Sequence, residues 1–389
     1  MDKFVFHYPV KILFGQGVID SIGNEAAGLG SHALLVFGRQ AIKNYGLYKR
    51  VSASLRAHGV RLTDCGGVSP NPLLSKAKEG IETARSHGCD MVIGLGGGSV
   101  LDTAKAIAAG VAANHDIWKF FTGKKSVSTT LPVITVPTVA GSGSETNNAM
   151  VLTHDEKRLK FGFGHRLLFP AVCLADPSVS CTVPADQTAY GAVDALCHCL
   201  DPYFSSRASG TQFQLGFLEH LGRTIIATTD RLRVSPDCYD DRATMLWCTS
   251  LAMSPLAVAG LGKISFSIHL LEHGLSATTD LAHGAGLAAL LPGWLRYHQA
   301  ELNQQISRFG AQVFGLDNTD EMQKAGTAIT ALETFLRRNG CPVSVAELGF
   351  TSHHIPGLLD HCLQQARVWR MKDYDEHRLK AVLQACLSA

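Results

Sequence analysis

The run Met91-Val-Ile-Gly-Leu-Gly96-Gly97-Gly98-Ser99-Val-Leu-Asp102-Thr-Ala-Lys105 decides the fold class. It reads as a buried strand, a glycine loop and a helix start, in that order. Glycines let a backbone come close to a pyrophosphate. A helix N-terminus then offers unpaired N–H donors and the positive end of its dipole. The spacing is neither a Walker loop nor G-x-G-x-x-G. A plainer reading coexists with the phosphate cradle: a tight turn with Ser99 as N-cap and Asp102, three residues on, closing a capping box.

Outward from this run, 33–37 and 133–136 are further short apolar, β-branched strands, and 41–58 and 72–87 read as helices that stop at Gly59 and Gly88. Strands alternating with amphipathic stretches predict a parallel sheet flanked by helices. Beyond Pro184 the pattern changes. Helical periods occupy 185–200, 210–227, 242–259 and 324–339, and strand runs nearly vanish. The chain of 389 residues is too long for one core. We expect an α/β domain over 1–185 and an all-helical domain over 186–389.

Strand 133–136 also runs into a small-residue loop, Pro137-Thr138-Val-Ala-Gly141-Ser142-Gly143-Ser144-Glu145, which suits a ribose, pyrophosphate or nicotinamide edge. An ordinary Ser/Gly loop would look the same in isolation. Strand 33–37 ends in Gly38-Arg39-Gln40, without the acidic residue that usually holds the ribose 2′-hydroxyl of NAD. Arg39 suits a 2′-phosphate, which favours NADP over NAD; a solvated surface arginine is the plain alternative.

Seventeen histidines call for selection, and spacing supplies it. Asp194 and His198 lie four apart on one predicted helix, and His269 and His273 repeat that spacing on a second. His283 follows ten residues later, after a break at Thr278-Thr-Asp280 where the chain can turn back. A lone helical histidine is usually a hydrogen-bonded core residue. One carboxylate with two or three imidazoles suits Fe²⁺ or Zn²⁺ with a coordination position left open. His353-His354, before Pro356, read as capping or surface residues.

Composition sets the bounds. Apolar residues make up 46% and charged residues 17%, as in a globular protein. The net charge of +2 and the lack of a basic run argue against nucleic acid or a membrane surface as partner. The opening residues lack a signal-peptide pattern, and no apolar run approaches the ~20 residues of a membrane span. Eleven cysteines, without a Cys-x-x-Cys pair, suggest neither a disulfide framework nor a zinc ribbon. A cytoplasmic location is the expectation.

These residues together resemble the iron-containing, group III alcohol dehydrogenase family over essentially the whole chain. The resemblance rests on G-G-G-S-V-L-D at 96–102, P-T-x-A-G-S-G-S-E at 137–145, Asp176-Pro177, V-D-A-L-x-H at 193–198 and the ordered His269, His273 and His283. The opening F-x-F-H-x-P-x-K-I-L-F-G-x-G and Pro70-Asn-Pro72 look closest to the NADPH-dependent butanol dehydrogenase and aldehyde reductase branch. It implies a Rossmann-like N-terminal domain with a parallel sheet, a helical C-terminal domain and a cleft between them. It also implies hydride transfer between NAD(P)H and a small aldehyde or primary alcohol, and a homodimer. By resemblance the metal ligands are Asp194, His198, His269 and His283, and His273 is the family's extra histidine near the nicotinamide. Gly38 and Arg39 are candidates at the adenosine ribose from the reading of strand 33–37 above, not from the resemblance. Gly96, Gly97, Gly98, Ser99 and Asp102 would hold the pyrophosphate, and Thr138, Ser142 and Lys160 would complete the dinucleotide site.

Departures from the family pattern are Glu272 in place of a small residue, Ala282 in place of a proline, and Arg39-Gln40. Glu272 is expected to reshape the substrate side or raise the basicity of His273. The alternatives are a polyol dehydrogenase or a dehydroquinate synthase relative on the same fold. A metal-dependent hydrolase would not need the glycine loops, and a nucleotide-sensing protein would not need the ligands.

Overall fold

The computed structural model describes residues 1–39, 41–44, 46–316 and 323–387. The chain divides into two compact units. One comprises His7–Thr182 with Asp237–Leu246; the other comprises Met1–Phe6, Val183–Pro236 and Trp247–Ala389. Relative to a single cut in the chain, two short segments are thus exchanged.

The first unit carries strands β1 (Lys11–Phe14), β2 (His32–Phe37), β3 (Arg61–Cys65), β4 (Met91–Gly96), β5 (Val133–Pro137), β6 (Ala149–His154), β7 (Leu159–Gly164) and β8 (Val172–Ala175). Its helices are α1 (Ile22–Ala27), α2 (Ala41–Asn44), α3 (Leu47–Ala57), α4 (Leu74–His87), α5 (Gly98–Val111) and α6 (Trp118–Phe121). Six strands form one parallel sheet in the order β1-β8-β5-β4-β2-β3, while β6 and β7 make an antiparallel hairpin. Every residue of β2, β4, β5 and β8 is buried, which is why these strands read as continuous apolar runs. The edge strands β1 and β3 are partly exposed. Leu35, Ile93, Ile134 and Leu174 belong to one core cluster of the sheet. The chain leaves β2 toward β3 on one side and β4 toward β5 on the other. The order therefore reverses between β2 and β4, the place where open α/β sheets bind ligands beyond their carboxyl ends.

The stretch expected as one helix, 41–58, is two. Gly46 between them has φ +74°, a left-handed conformation that glycine adopts without a Cβ penalty and that ends the helical path. Gly88 caps α4 at φ +64°, as its sequence position implied.

The second half of the chain holds α7 (Ala185–Ser205), α8 (Gln212–Val234), α9 (Tyr239–Ala252), α10 (Pro255–Val258), α11 (Ser267–Thr278), α12 (His283–Phe314), α13 (Lys324–Arg338), α14 (Ile355–Val368) and α15 (Glu376–Leu387). Among the described residues no strand follows Ala175. The helical run expected over 242–259 is broken at Ser254, the N-cap of α10, with Pro255 opening the new helix. No helix among the described residues is long and apolar enough to cross a membrane.

Candidate metal centre and dinucleotide loops

Three helices of one unit supply the charged cluster. On α7, Asp194 and His198 stand one turn apart on a stretch buried from Ala192 to Phe204. Helix α11 is buried at every position from Ser267 to Ala277, so it is a central helix and not an amphipathic surface one. Its N-cap residue, Phe266, supplies no side-chain cap. Asp201, from α7, does that work: its carboxylate accepts the Ile268 N–H at 2.9 Å, the His269 N–H at 3.4 Å and the Ser267 hydroxyl at 3.3 Å. Helix α12 then opens with His283.

The three imidazole Nε2 atoms converge on one carboxylate oxygen. His269 Nε2 lies 3.4 Å from Asp194 Oδ1, and the Nε2 atoms of His198 and His283 each lie 3.6 Å from it. Donor atoms of a tetrahedral site with bonds of about 2.1 Å stand about 3.4 Å apart. The spacing and the three-nitrogen, one-oxygen donor set therefore fit a divalent ion. Behind the rings, Asp201 takes His269 Nδ1 at 2.7 Å, and Glu272, wholly buried on α11, takes His283 Nδ1. The Nδ1 of His198 is buried with no hydrogen-bond partner among the described residues.

The charges agree with this reading. Burial pushes the Asp194 carboxyl up, but the facing imidazoles outweigh it and hold the group well below the usual carboxylate range. Burial drives His198 down to about 3 against the pull of Asp194. Burial also disfavours charge on His269, yet the hydrogen bonds and charges of Asp194 and Asp201 raise it to about 9. The two rings shift in opposite senses because one positive charge is favoured beside Asp194 and settles where two carboxylates flank it. Positive charge beside Asp194 is therefore favoured, whether a proton or a metal ion carries it.

His273, one turn beyond His269, is buried, with Gln365 Nε2 2.6 Å from its Nδ1 and the Trp369 ring edge-on at 5.6 Å. The Glu272 carboxylate has a ligating oxygen within 4.8 Å of nitrogens of both His273 and His283. The sequence did not announce the direct bond from Glu272 to His283.

The glycine loops belong to the other unit. Helix α5 begins at Gly98, and its N-cap Gly97 carries no side-chain cap. The capping box expected from Ser99 and Asp102 does not form, because the helix starts before Ser99 and Asp102 is engaged elsewhere. One Asp102 oxygen accepts the Ser144 hydroxyl at 2.5 Å and the other the Val151 N–H at 2.9 Å. Burial pushes its carboxyl up against the lowering charge of Lys105. Asp102, expected to hold pyrophosphate, is a brace between α5 and the segment 144–151. The α5 N–H groups are left uncapped by side chains, the condition an anion site requires.

A Cβ on Gly98 would meet Ser142 Oγ at 2.4 Å, so glycine there lets the two loops touch. The Thr138 N–H donates to Gly96 O at 3.1 Å. Lys160, on the hairpin, is buried and donates to Asn71 Oδ1 at 3.0 Å. Gly38 and Arg39 follow β2, whose Phe37 pairs with Leu95 of β4, and Arg39 is exposed. Gln40 lies outside the described residues.

Sequence reasoning missed Asp201, Gln365 and Lys105. Asp201 had a signal: it continues the Asp194–His198 face of α7 by three residues. Lys105 is fully buried, with Nζ 2.8–2.9 Å from Asn147 O, Asn147 Oδ1 and Ala149 O, and burial lowers it to about 8. Gln365 lies 92 residues from His273, and nothing local pointed to it. Cys197 and Cys199 are buried free thiols, and His354 forms a capping box with Thr351.

Two family descriptions match this chain: "Iron-containing alcohol dehydrogenase" over residues 9–177 and "Fe-containing alcohol dehydrogenase family, C-terminal" over 188–387. The chain belongs to this family. Among relatives of the family, NADH-dependent butanol dehydrogenase A of Clostridium acetobutylicum is 36% identical over 352 residues, 90% of each chain. The NADPH-dependent aldehyde reductase YqhD of Escherichia coli is 29% identical over 92% of each chain. The crystal structure of NADH-dependent butanol dehydrogenase A from Thermotoga maritima superposes with a TM-score of 0.95 at 35% identity, covering 100% of this chain and 99% of that one.

Proposed function

We propose that this chain is an NAD(P)H-dependent oxidoreductase that interconverts small aldehydes and primary alcohols. The observation that carries the reading is the convergence of three imidazole Nε2 atoms on Asp194 Oδ1. It is supported by membership of the iron-containing alcohol dehydrogenase family and by relatives named butanol dehydrogenase and aldehyde reductase. Asp194, His198, His269 and His283 would hold one divalent ion, Fe²⁺ or Zn²⁺. When bound, that ion supplies Lewis acidity toward the substrate oxygen, and the nicotinamide supplies the hydride chemistry.

The chain's own residues do the rest. Asp201 holds His269 by Nδ1, so that the ring presents a lone pair on Nε2. His273, oriented by Gln365, moves the proton that accompanies hydride transfer. The uncapped N–H groups at Gly97, Gly98 and Ser99 bind the pyrophosphate, with Thr138, Ser142 and Lys160 beside the riboses. Asp102 acts through Ser144 and Val151 and not on the phosphates. In this reading 1–185 binds the dinucleotide and 186–389 the metal.

NADPH is the preferred nucleotide in this proposal, since the exposed Arg39 beyond β2 is a charge suited to a 2′-phosphate. The chain acts as a homodimer, a reading supported by the exposure of Phe4, Val5 and Phe6 at 51%, 91% and 52%.

The test is removal of metal by chelator, separate restoration of Fe²⁺, Zn²⁺ or Mn²⁺, and measurement of NADPH and NADH oxidation with butanal. Loss of activity with the metal and its return with one ion supports the reading. Failure of both nucleotides across a panel of aldehydes with every ion overturns it.

A further inference from the structure

His283 has two nitrogens and two carboxylates to face. Its Nε2 lies 3.6 Å from Asp194 Oδ1, and its Nδ1 is hydrogen-bonded to Glu272. Glu272 is itself fixed. It is fully buried, its other oxygen accepts the Ser276 hydroxyl at 2.5 Å one turn along α11, and it lies against Gly286 of α12. A Cβ on Gly286 would sit 3.0 Å from both Glu272 Cγ and Oε1, so that glycine is the space the carboxylate occupies. A buried carboxylate is costly unless its hydrogen bonds are made. Here the bonds run to a serine on its own helix and to the ring that opens the next one.

We propose that Glu272 is a positioning residue for the metal centre. By accepting the Nδ1 hydrogen of His283 it selects the tautomer with a free Nε2 lone pair and sets the plane of the ring. It thereby does for the α12 ligand what Asp201 does for the α11 ligand. His198, whose Nδ1 has no such partner among the described residues, is the ligand left without this support. The inference rests on the ligand set proposed above.

Zn²⁺ affinity is measured by chelator competition on the metal-stripped full chain, and the coordination geometry by the visible spectrum of Co²⁺ in its place. Glu272→Ala is expected to weaken Zn²⁺ binding by roughly tenfold to hundredfold and to alter the Co²⁺ bands. Glu272→Gln, whose amide oxygen can still accept from Nδ1, is expected to recover most of that loss. Should Glu272→Ala not fold, Ser276→Ala loosens the carboxylate and is expected to weaken Zn²⁺ at least about threefold. A merely structural role would lower the melting temperature of the metal-free chain while leaving Zn²⁺ affinity and the Co²⁺ bands unchanged, and that result overturns the proposal. So does a second Zn²⁺ per chain that is lost in Glu272→Ala, because Glu272 would then be a ligand. His283→Ala separates the two readings: if it binds Zn²⁺ as tightly as the parent, the ligand set itself fails. If it loses Zn²⁺ while Glu272→Ala keeps it, only the role of Glu272 does.

Discussion

Removing one imidazole from the cluster leaves Asp194 buried and short of a partner. His269→Ala is expected to lose the metal and with it all aldehyde reduction, read by metal analysis and nicotinamide absorbance on the same sample. Asp201→Asn keeps a side-chain oxygen for the Ile268 N–H but removes the negative charge behind His269. It is expected to weaken the metal by roughly tenfold or more while the chain still folds. Unchanged metal content after repeated dialysis would contradict this. At the nucleotide end, Arg39→Asp should move the ratio of kcat/KM for NADPH over NADH toward NADH by about tenfold or more, as a 2′-phosphate loses a cation and meets an anion. A ratio that does not move would show that Arg39 is only a solvated surface residue.

At the scale of the element, α5 and its flanking loops act as one piece. Gly98→Ala places a methyl 2.4 Å from Ser142 Oγ in the unmoved structure, so the loops must part. The expected outcome is a KM for the dinucleotide raised by about tenfold or more with a smaller change in kcat. Strand interiors respond differently. Ile93→Ala, in the fully buried β4, is expected to cost about 2–5 kcal/mol of stability in denaturant unfolding. These elements differ in how well the sequence exposed them. Strands β2, β4 and β5 were legible because both their faces are buried and, His32 and Thr135 apart, their residues are apolar or glycine. The hairpin β6–β7 was not, because its pairing is set by a turn whose residues, Asp155 to Arg158, are charged and carry no strong turn signature. The direct bond from Glu272 to His283 was hidden for another reason. A spacing rule along one helix finds neighbours on its own face, not the ring that a following helix brings back.

For the whole molecule, acid is expected to act in part through His298. Burial first, and then the nearby Arg378 charge, push this histidine down to about 4 in the folded chain, whereas the unfolded chain protonates near 6.5. Between those values the unfolded state binds the extra proton, so stability rises with pH from about 4 to 6.5 and is lost as pH falls through that window. Thermal melts across this range should show a shallower dependence in His298→Gln than in the parent. The order of the sheet has a temporal meaning as well. Strand β1 lies at the edge and pairs with β8 alone within the sheet, so the first strand synthesised takes as its partner the last. On the ribosome it must wait, unpaired, until Ala175 has emerged. During that interval its open edge is exposed to neighbouring nascent chains, which makes early synthesis the stage at which this sheet is most vulnerable to mispairing.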